Sequence, residues 1–115
     1  MIDNKARLYA EAISTARGIL SGQIGVIPGS RTLTRIGSNL DENKRDSFLL
    51  FIGIDSESDD LAIGPERQYW AKEALAKQDI EIKISEAYYK EEVFNACQDL
   101  IDLLESELIE LSKDQ

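Results

Sequence analysis

The chain has 115 residues, 43% hydrophobic and 30% charged, the proportions of one ordinary folded domain rather than of a fibre or a disordered tail, and residues 1–115 read as a single domain. Thirteen Lys and Arg stand against 22 Asp and Glu, a net charge of −9, which repels phosphate backbones and anionic membrane surfaces and so argues against nucleic acid or membrane as a partner. With no His and a single Cys, Ser-His-Asp and Cys-His catalysis, His-ligated metal and an intrachain disulfide are all excluded.

The first twenty residues carry Asp3, Lys5, Arg7, Glu11 and Arg17, which interrupt any apolar stretch of the kind a secretory signal needs. Ala6, Tyr9, Ile13, Ala16 and Leu20 recur at steps of three and four, predicting an amphipathic helix that Gly22 ends. Residues 22–30 hold three glycines and Pro28, and read as a connector whose Ile24, Val26 and Ile27 tuck onto the core. Their glycine spacing superficially resembles a phosphate loop, but it lacks the Gly-Lys-Ser/Thr ending and follows a helix instead of a strand. Ser30 is a candidate cap for a short helix over residues 31–36, broken by Gly37, Ser38 and Asn39.

Residues 48–54 are apolar on every side, a pattern that fits a buried helix or a buried strand. At seven residues the run is about a third of what a bilayer-spanning helix requires. The polar residues from Asp41 onward favour a helix with acids in its first turn. Residues 55–60 then read as a polar acidic loop, and Gly64-Pro65-Glu66 restarts a helix, since proline at the first helical position loses no hydrogen bond. Helical character runs from there almost to the end, too long for one uncapped helix, so at least two pieces are expected. The last has the clearest stripe: Val93, Cys97, Leu100, Leu104, Leu108 and Leu111, widened by Phe94 and Ile101. The predicted fold is all-α, a compact bundle of four to six helices. The alternative is α+β, with a short strand pair at 48–54 and 80–84, because residues 79–84 alternate with period two.

Charge is divided unevenly. Residues 1–54 hold seven basic and five acidic side chains, a net of +2, whereas residues 55–115 hold six and seventeen, a net of −11. Such a half is either a solvated surface or a face that meets something cationic. Arg31, Arg35, Lys44 and Arg45 form the basic cluster, for which pairing with the acidic half is the simpler reading.

Asp55, Glu57, Asp59 and Glu66 occupy positions 1, 3, 5 and 12 of a calcium-loop window, but Asp60 replaces the glycine of the sharp turn and Pro65 precedes the bidentate position, so no metal or cofactor is expected. Carboxylate pairs arise by chance among 22 acids and do not by themselves argue for hydrolysis. Cys97 lies within a leucine-rich stripe near acids, as a core thiol rather than a nucleophile, and suits a reducing compartment. In each of the pairs Tyr69/Trp70 and Tyr88/Tyr89, one ring is expected in the core and the other outside.

Residues 51–70, with Ile54, Ser56, Glu57, Asp59, Leu61, Gly64, Arg67 and Trp70 in register, resemble the central signature I-x-S-E-T-D-x-L-P-x-G-x-x-R-x-x-W of small bacterial proteins classed as domains of unknown function. Ser58 replaces the Thr and Ala62 the Pro. The resemblance singles out Ser56, Glu57, Asp59, Gly64, Arg67 and Trp70. Compact acidic chains of this kind are also similar in class to immunity proteins of bacterial toxin systems. The expectation is a cytoplasmic, non-enzymatic binding protein that neutralises a cationic toxin, for example a nuclease. Asp55, Ser56, Glu57, Asp59, Asp60, Glu66 and Arg67 would face the basic partner, with Tyr69 or Trp70 as anchor. The alternatives are a structural domain that self-associates through apolar helix faces into a homo-oligomer, and a carboxylate- or metal-dependent hydrolase centred on residues 55–66.

Overall fold

A computed structural model describes residues 4–61 and 63–113. Helix α1 spans Asn4–Ser21 and buries Tyr9, Ala12, Ile13, Ala16 and Ile19 along one stripe. Gly22 stops it with a left-handed φ of 83°, a conformation open to glycine at little cost, and its N–H reaches the Ile19 carbonyl at 3.1 Å.

Helix α2 spans Val26–Ser38 and therefore begins well before the short segment 31–36 expected from the sequence. Pro28 sits in its first turn, where a missing N–H costs nothing. The cap comes from across the fold instead of from Ser30. The Val26 and Ile27 N–H groups donate to Glu86 Oε1 and Oε2 at 2.7 and 2.6 Å, while the buried Ser30 hydroxyl donates to the Val26 carbonyl at 2.7 Å. A Cβ at Gly29 would lie 2.4 Å from the Ile19 side chain, so this glycine sets how closely α1 and α2 approach.

Residues 42–57 are helical throughout, as a 3-10 helix over Glu42–Phe48 that runs into α3, Leu49–Glu57. Among the described residues there is no strand: 48–54 lie in these helices and 80–84 in the next, so the α+β alternative falls. The expected loop at 55–60 is shortened, because its first three residues are the last turn of α3. The Ser58 hydroxyl closes that turn on the Ile54 carbonyl at 2.6 Å.

A 3-10 helix over Pro65–Tyr69 follows, Trp70 is extended, and α4 then runs unbroken from Lys72 to Lys113. The helical run expected in at least two pieces is thus a short 3-10 helix followed, at very unequal length, by one helix of 42 residues. No Gly or Pro occurs within it, and at 1.5 Å per residue its straight length of about 63 Å exceeds even the longest dimension of a molecule measuring 55 × 28 × 24 Å.

The core gathers the α1 stripe, Val26, Leu33 and Ile36 of α2, Phe48, Phe51 and Ile54, and Val93, Cys97, Leu100, Ile101 and Leu104 of α4. Burying each large apolar side chain contributes about 1.5–3 kcal/mol. Burial pushes the Cys97 thiol up to about 12, which fits the core thiol expected from its stripe.

The Glu86 cap is expected to be worth measuring against. Glu86→Ala leaves two helix-terminal donors without their charged acceptor and should destabilise the fold by about 2 kcal/mol, read as a lower urea midpoint at unchanged slope. Wild-type stability in this variant would mean that water replaces the carboxylate without loss.

Candidate functional site

The residues expected to face a partner divide into those the fold already uses and those it leaves open. Asp55, in the last turn of α3, lies 3.5 Å from Arg31 Nε. The Arg31 guanidinium also donates to the carbonyls of Ser58 and, at 3.2 Å, Leu61. One α2 arginine thereby holds the end of α3 and the turn that follows. Arg67 pairs with Asp79 at 2.7 Å and ties the Pro65–Tyr69 helix to α4. Glu66 folds back on its own backbone: hydrogen bonds from its own N–H and that of Gly64 hold its carboxyl below the usual range.

Ser56, Asp59 and Asp60 are exposed, and neither Asp59 nor Asp60 has an ion partner among the described residues. Glu57 accepts a hydrogen bond from the Tyr89 hydroxyl of α4. Tyr69 is 82% exposed and Trp70 41%, so neither ring of that pair enters the core. Of the other pair, Tyr89 is half-buried and Tyr88 75% exposed.

Glu57 and Asp60 meet α4 across a groove of about 320 Å³, whose other walls are Leu61, Glu81, Ile84 and Ser85. Three carboxylates therefore border one recess with an apolar residue at its α4 edge. Asp55, Ser56, Asp59, Glu66, Arg67, Tyr69 and Trp70 do not line it. Glu81 and Ile84 were missed by the sequence reading, which saw residues 79–84 as an alternating segment instead of the wall of a groove.

A larger groove, about 810 Å³, lies between α1 and the end of α4 and is bordered by Ile13, Ile24, Leu108 and Ile109. The Arg17–Glu105 ion pair, 2.6 Å, spans it, and it gathers none of the predicted residues. The calcium-loop window is split between a helix, a turn and a 3-10 helix, and no group of three or more acidic or thiol side chains able to hold a metal ion occurs among the described residues. No described helix is long and apolar enough to cross a membrane.

No family model, curated protein or solved structure matches the chain. The likeness to the bacterial signature rests on the resemblance within residues 51–70. Two of its matching positions have local structural work here, since Arg67 holds Asp79 and Gly64 accommodates the folded-back Glu66.

The Tyr89–Glu57 bond gives the groove a spectroscopic handle. Accepting the phenol's proton favours its neutral form and, helped by burial, pushes Tyr89 up to about 12. Its contribution to stability is full below the unfolded value near 10 and is lost as pH rises through about 12. In an ultraviolet titration Tyr89 should ionise late, and Glu57→Gln should move that late step back towards about 10. An unchanged curve in that variant would place the carboxylate elsewhere.

Proposed function

We propose that the protein is a non-enzymatic binding protein that takes a basic protein partner against the acidic groove between the end of α3 and α4. The observation that carries this reading is the meeting of Glu57 and Asp60 with Glu81 and the apolar Ile84 in one recess, with the exposed Asp59, which has no ion partner among the described residues, adjacent in sequence. Carboxylates without internal partners attract Arg and Lys from a distance, and a neighbouring apolar side chain supplies contact that charge alone does not. The partner class that fits is the cationic substrate-binding face of a toxin domain such as a nuclease, acting in the cytoplasm; the chain would then be an immunity protein. The −11 half and the absence of His catalysis support this reading over hydrolysis, and it calls for no cofactor. The exposed Tyr69 ring is the available aromatic anchor outside the groove.

The test is a kinetic titration of the full chain against the product of a toxin-like reading frame adjacent to its own. Association should slow steeply with added salt, because exposed charges are screened beyond roughly 8 Å at about 0.15 M, while dissociation changes little. The double reversal Asp59→Lys/Asp60→Lys should weaken binding at least about tenfold without altering the melting temperature. Affinity that survives these reversals, or a neighbouring product that does not bind, sinks the reading.

A further inference from the structure

Helix α4 changes character along its length. Its fully buried residues, Val93, Cys97, Leu100, Ile101 and Leu104, all belong to its second half. Between residues 72 and 92 no side chain is fully buried, and the groups that face the body are largely polar. Asp79 pairs with Arg67, Gln78 donates to the Asp60 carbonyl at 3.4 Å, Glu86 caps α2 and Tyr89 bonds to Glu57. Leu75 and Ile82 are half-buried, but three large apolar residues are left outside. Ile80, Ile84 and Tyr88 are 61%, 64% and 75% exposed. At four-residue steps they form one stripe on the solvent side. This stretch therefore carries an apolar stripe on its outer side in addition to the apolar residues it half-buries.

Three large side chains this exposed make a contiguous patch of roughly a few hundred Å², the size at which exposed apolar surface marks an interaction site. The residues that bracket the stripe indicate what covers it. Lys77 lies one turn before Ile80 and Glu91 about one turn after Tyr88, both on the stripe's own face, and neither has an ion partner among the described residues. When two copies of the helix are laid antiparallel with Ile84 against Ile84, Ile80 meets Tyr88 of the other copy and Lys77 meets its Glu91. Glu73 falls opposite Asn95, so no like charges oppose each other along the seam. A parallel pairing would set Lys77 on Lys77 and Glu91 on Glu91. The face is complementary to itself under a two-fold axis, the property of an isologous interface.

We infer that a second copy of this chain covers the stripe, through an antiparallel pairing of the first half of α4 about Ile84. The pairing takes the outer side of Ile84 from the acidic groove's edge and leaves Glu57, Asp59 and Asp60 open on each protomer. The two readings share Ile84, but the pairing is argued from the stripe and its flanking charges rather than from what the groove binds. An interface built on one helical segment is at the small end for protein association, the class of weak and reversible contacts.

Sedimentation equilibrium of the full chain across low to high micromolar concentrations should show a monomer–dimer equilibrium. Each copy carries −9, so added salt should tighten the dimer, the opposite of its effect on a basic partner. Lys77→Glu or Glu91→Lys should each weaken dimerisation about tenfold, since each alters two symmetry-related ion pairs, and the double exchange should restore it. Ile84→Glu should give a monomer of unchanged helicity. Should that variant lose helix, Ile84→Cys provides a second readout: with Cys97 buried, an added two-electron oxidant of thiols such as a diazene dicarboxamide should take one hydrogen from each introduced thiol of the pair and leave a covalent dimer through the two-fold. A chain that stays monomeric at high micromolar concentration, or an exchange of Lys77 and Glu91 that fails to restore pairing, overturns the inference. Asp59→Lys/Asp60→Lys should leave the dimer intact, so the groove and the stripe fail separately.

Discussion

The continuity of α4 is the constraint on which the rest of the molecule depends. One helix of 42 residues is longer than the apolar body available to it, and only its second half lies against α1 in a packed interior. The first half, isolated in water, would be marginal, because a helix of about twenty residues barely offsets the cost of its nucleation. Polar links hold it: the Glu86 carboxylate on the first two amides of α2, the Tyr89–Glu57 bond and the Arg67–Asp79 pair. These are directional contacts of modest net worth, about 1–3 kcal/mol each for charge-assisted bonds and less where exposed. They fix where the helix lies more than they stabilise the whole fold.

The uneven division of charge acquires a structural meaning from the same arrangement. Arg17, Arg31 and Lys44 of the basic half pair with Glu105, Asp55 and Glu107 of the acidic half, which fits the simpler reading of the cluster for Arg31 and Lys44. Lys44–Glu107 is the most enclosed of these pairs. Burial opposes ionisation of Glu107, but hydrogen bonds from Lys44 and Tyr9 and the charges of Lys44 and Lys5 win, holding the carboxyl below its usual value of 4.5. Its stabilising contribution is therefore present above pH 4.5 and fades as pH falls through the lower folded value. Several carboxylates of the acidic half thus already serve the fold, whereas Asp59, Asp60 and Glu81 have no pairing of this kind among the described residues.

What could be read from the sequence follows which interactions are local. The α1 stripe, the stop at Gly22 and the Val93–Leu104 face of α4 were legible because apolar periodicity and a left-handed glycine act within a few residues. The start of α2 was not. Its cap comes from Glu86, about sixty residues away in sequence, so the local search settled on Ser30, whose hydroxyl instead bonds back to Val26. The groove was half legible: Glu57 and Asp60 stood out as acids after an apolar run, but Glu81 and Ile84 join them only because α4 passes that turn.

The period-two pattern at residues 79–84 has the same origin. Ile80, Ile82 and Ile84 alternate with Asp79, Glu81 and Lys83, which in an extended chain would set one apolar face against one polar face. In a helix the same residues spread around the axis. Ile82 turns to the half-buried side, while Ile80 and Ile84 are left in solvent at 61% and 64%. Helix geometry prevails because no second strand exists among the described residues to pair with this segment, and because Glu86 and Tyr89 hold the following turns in helical register against α2 and α3. The polar links that fix the helix therefore also determine which apolar residues remain outside. The alternating pattern that argued for a strand becomes, once wound, the exposed face from which self-association was inferred.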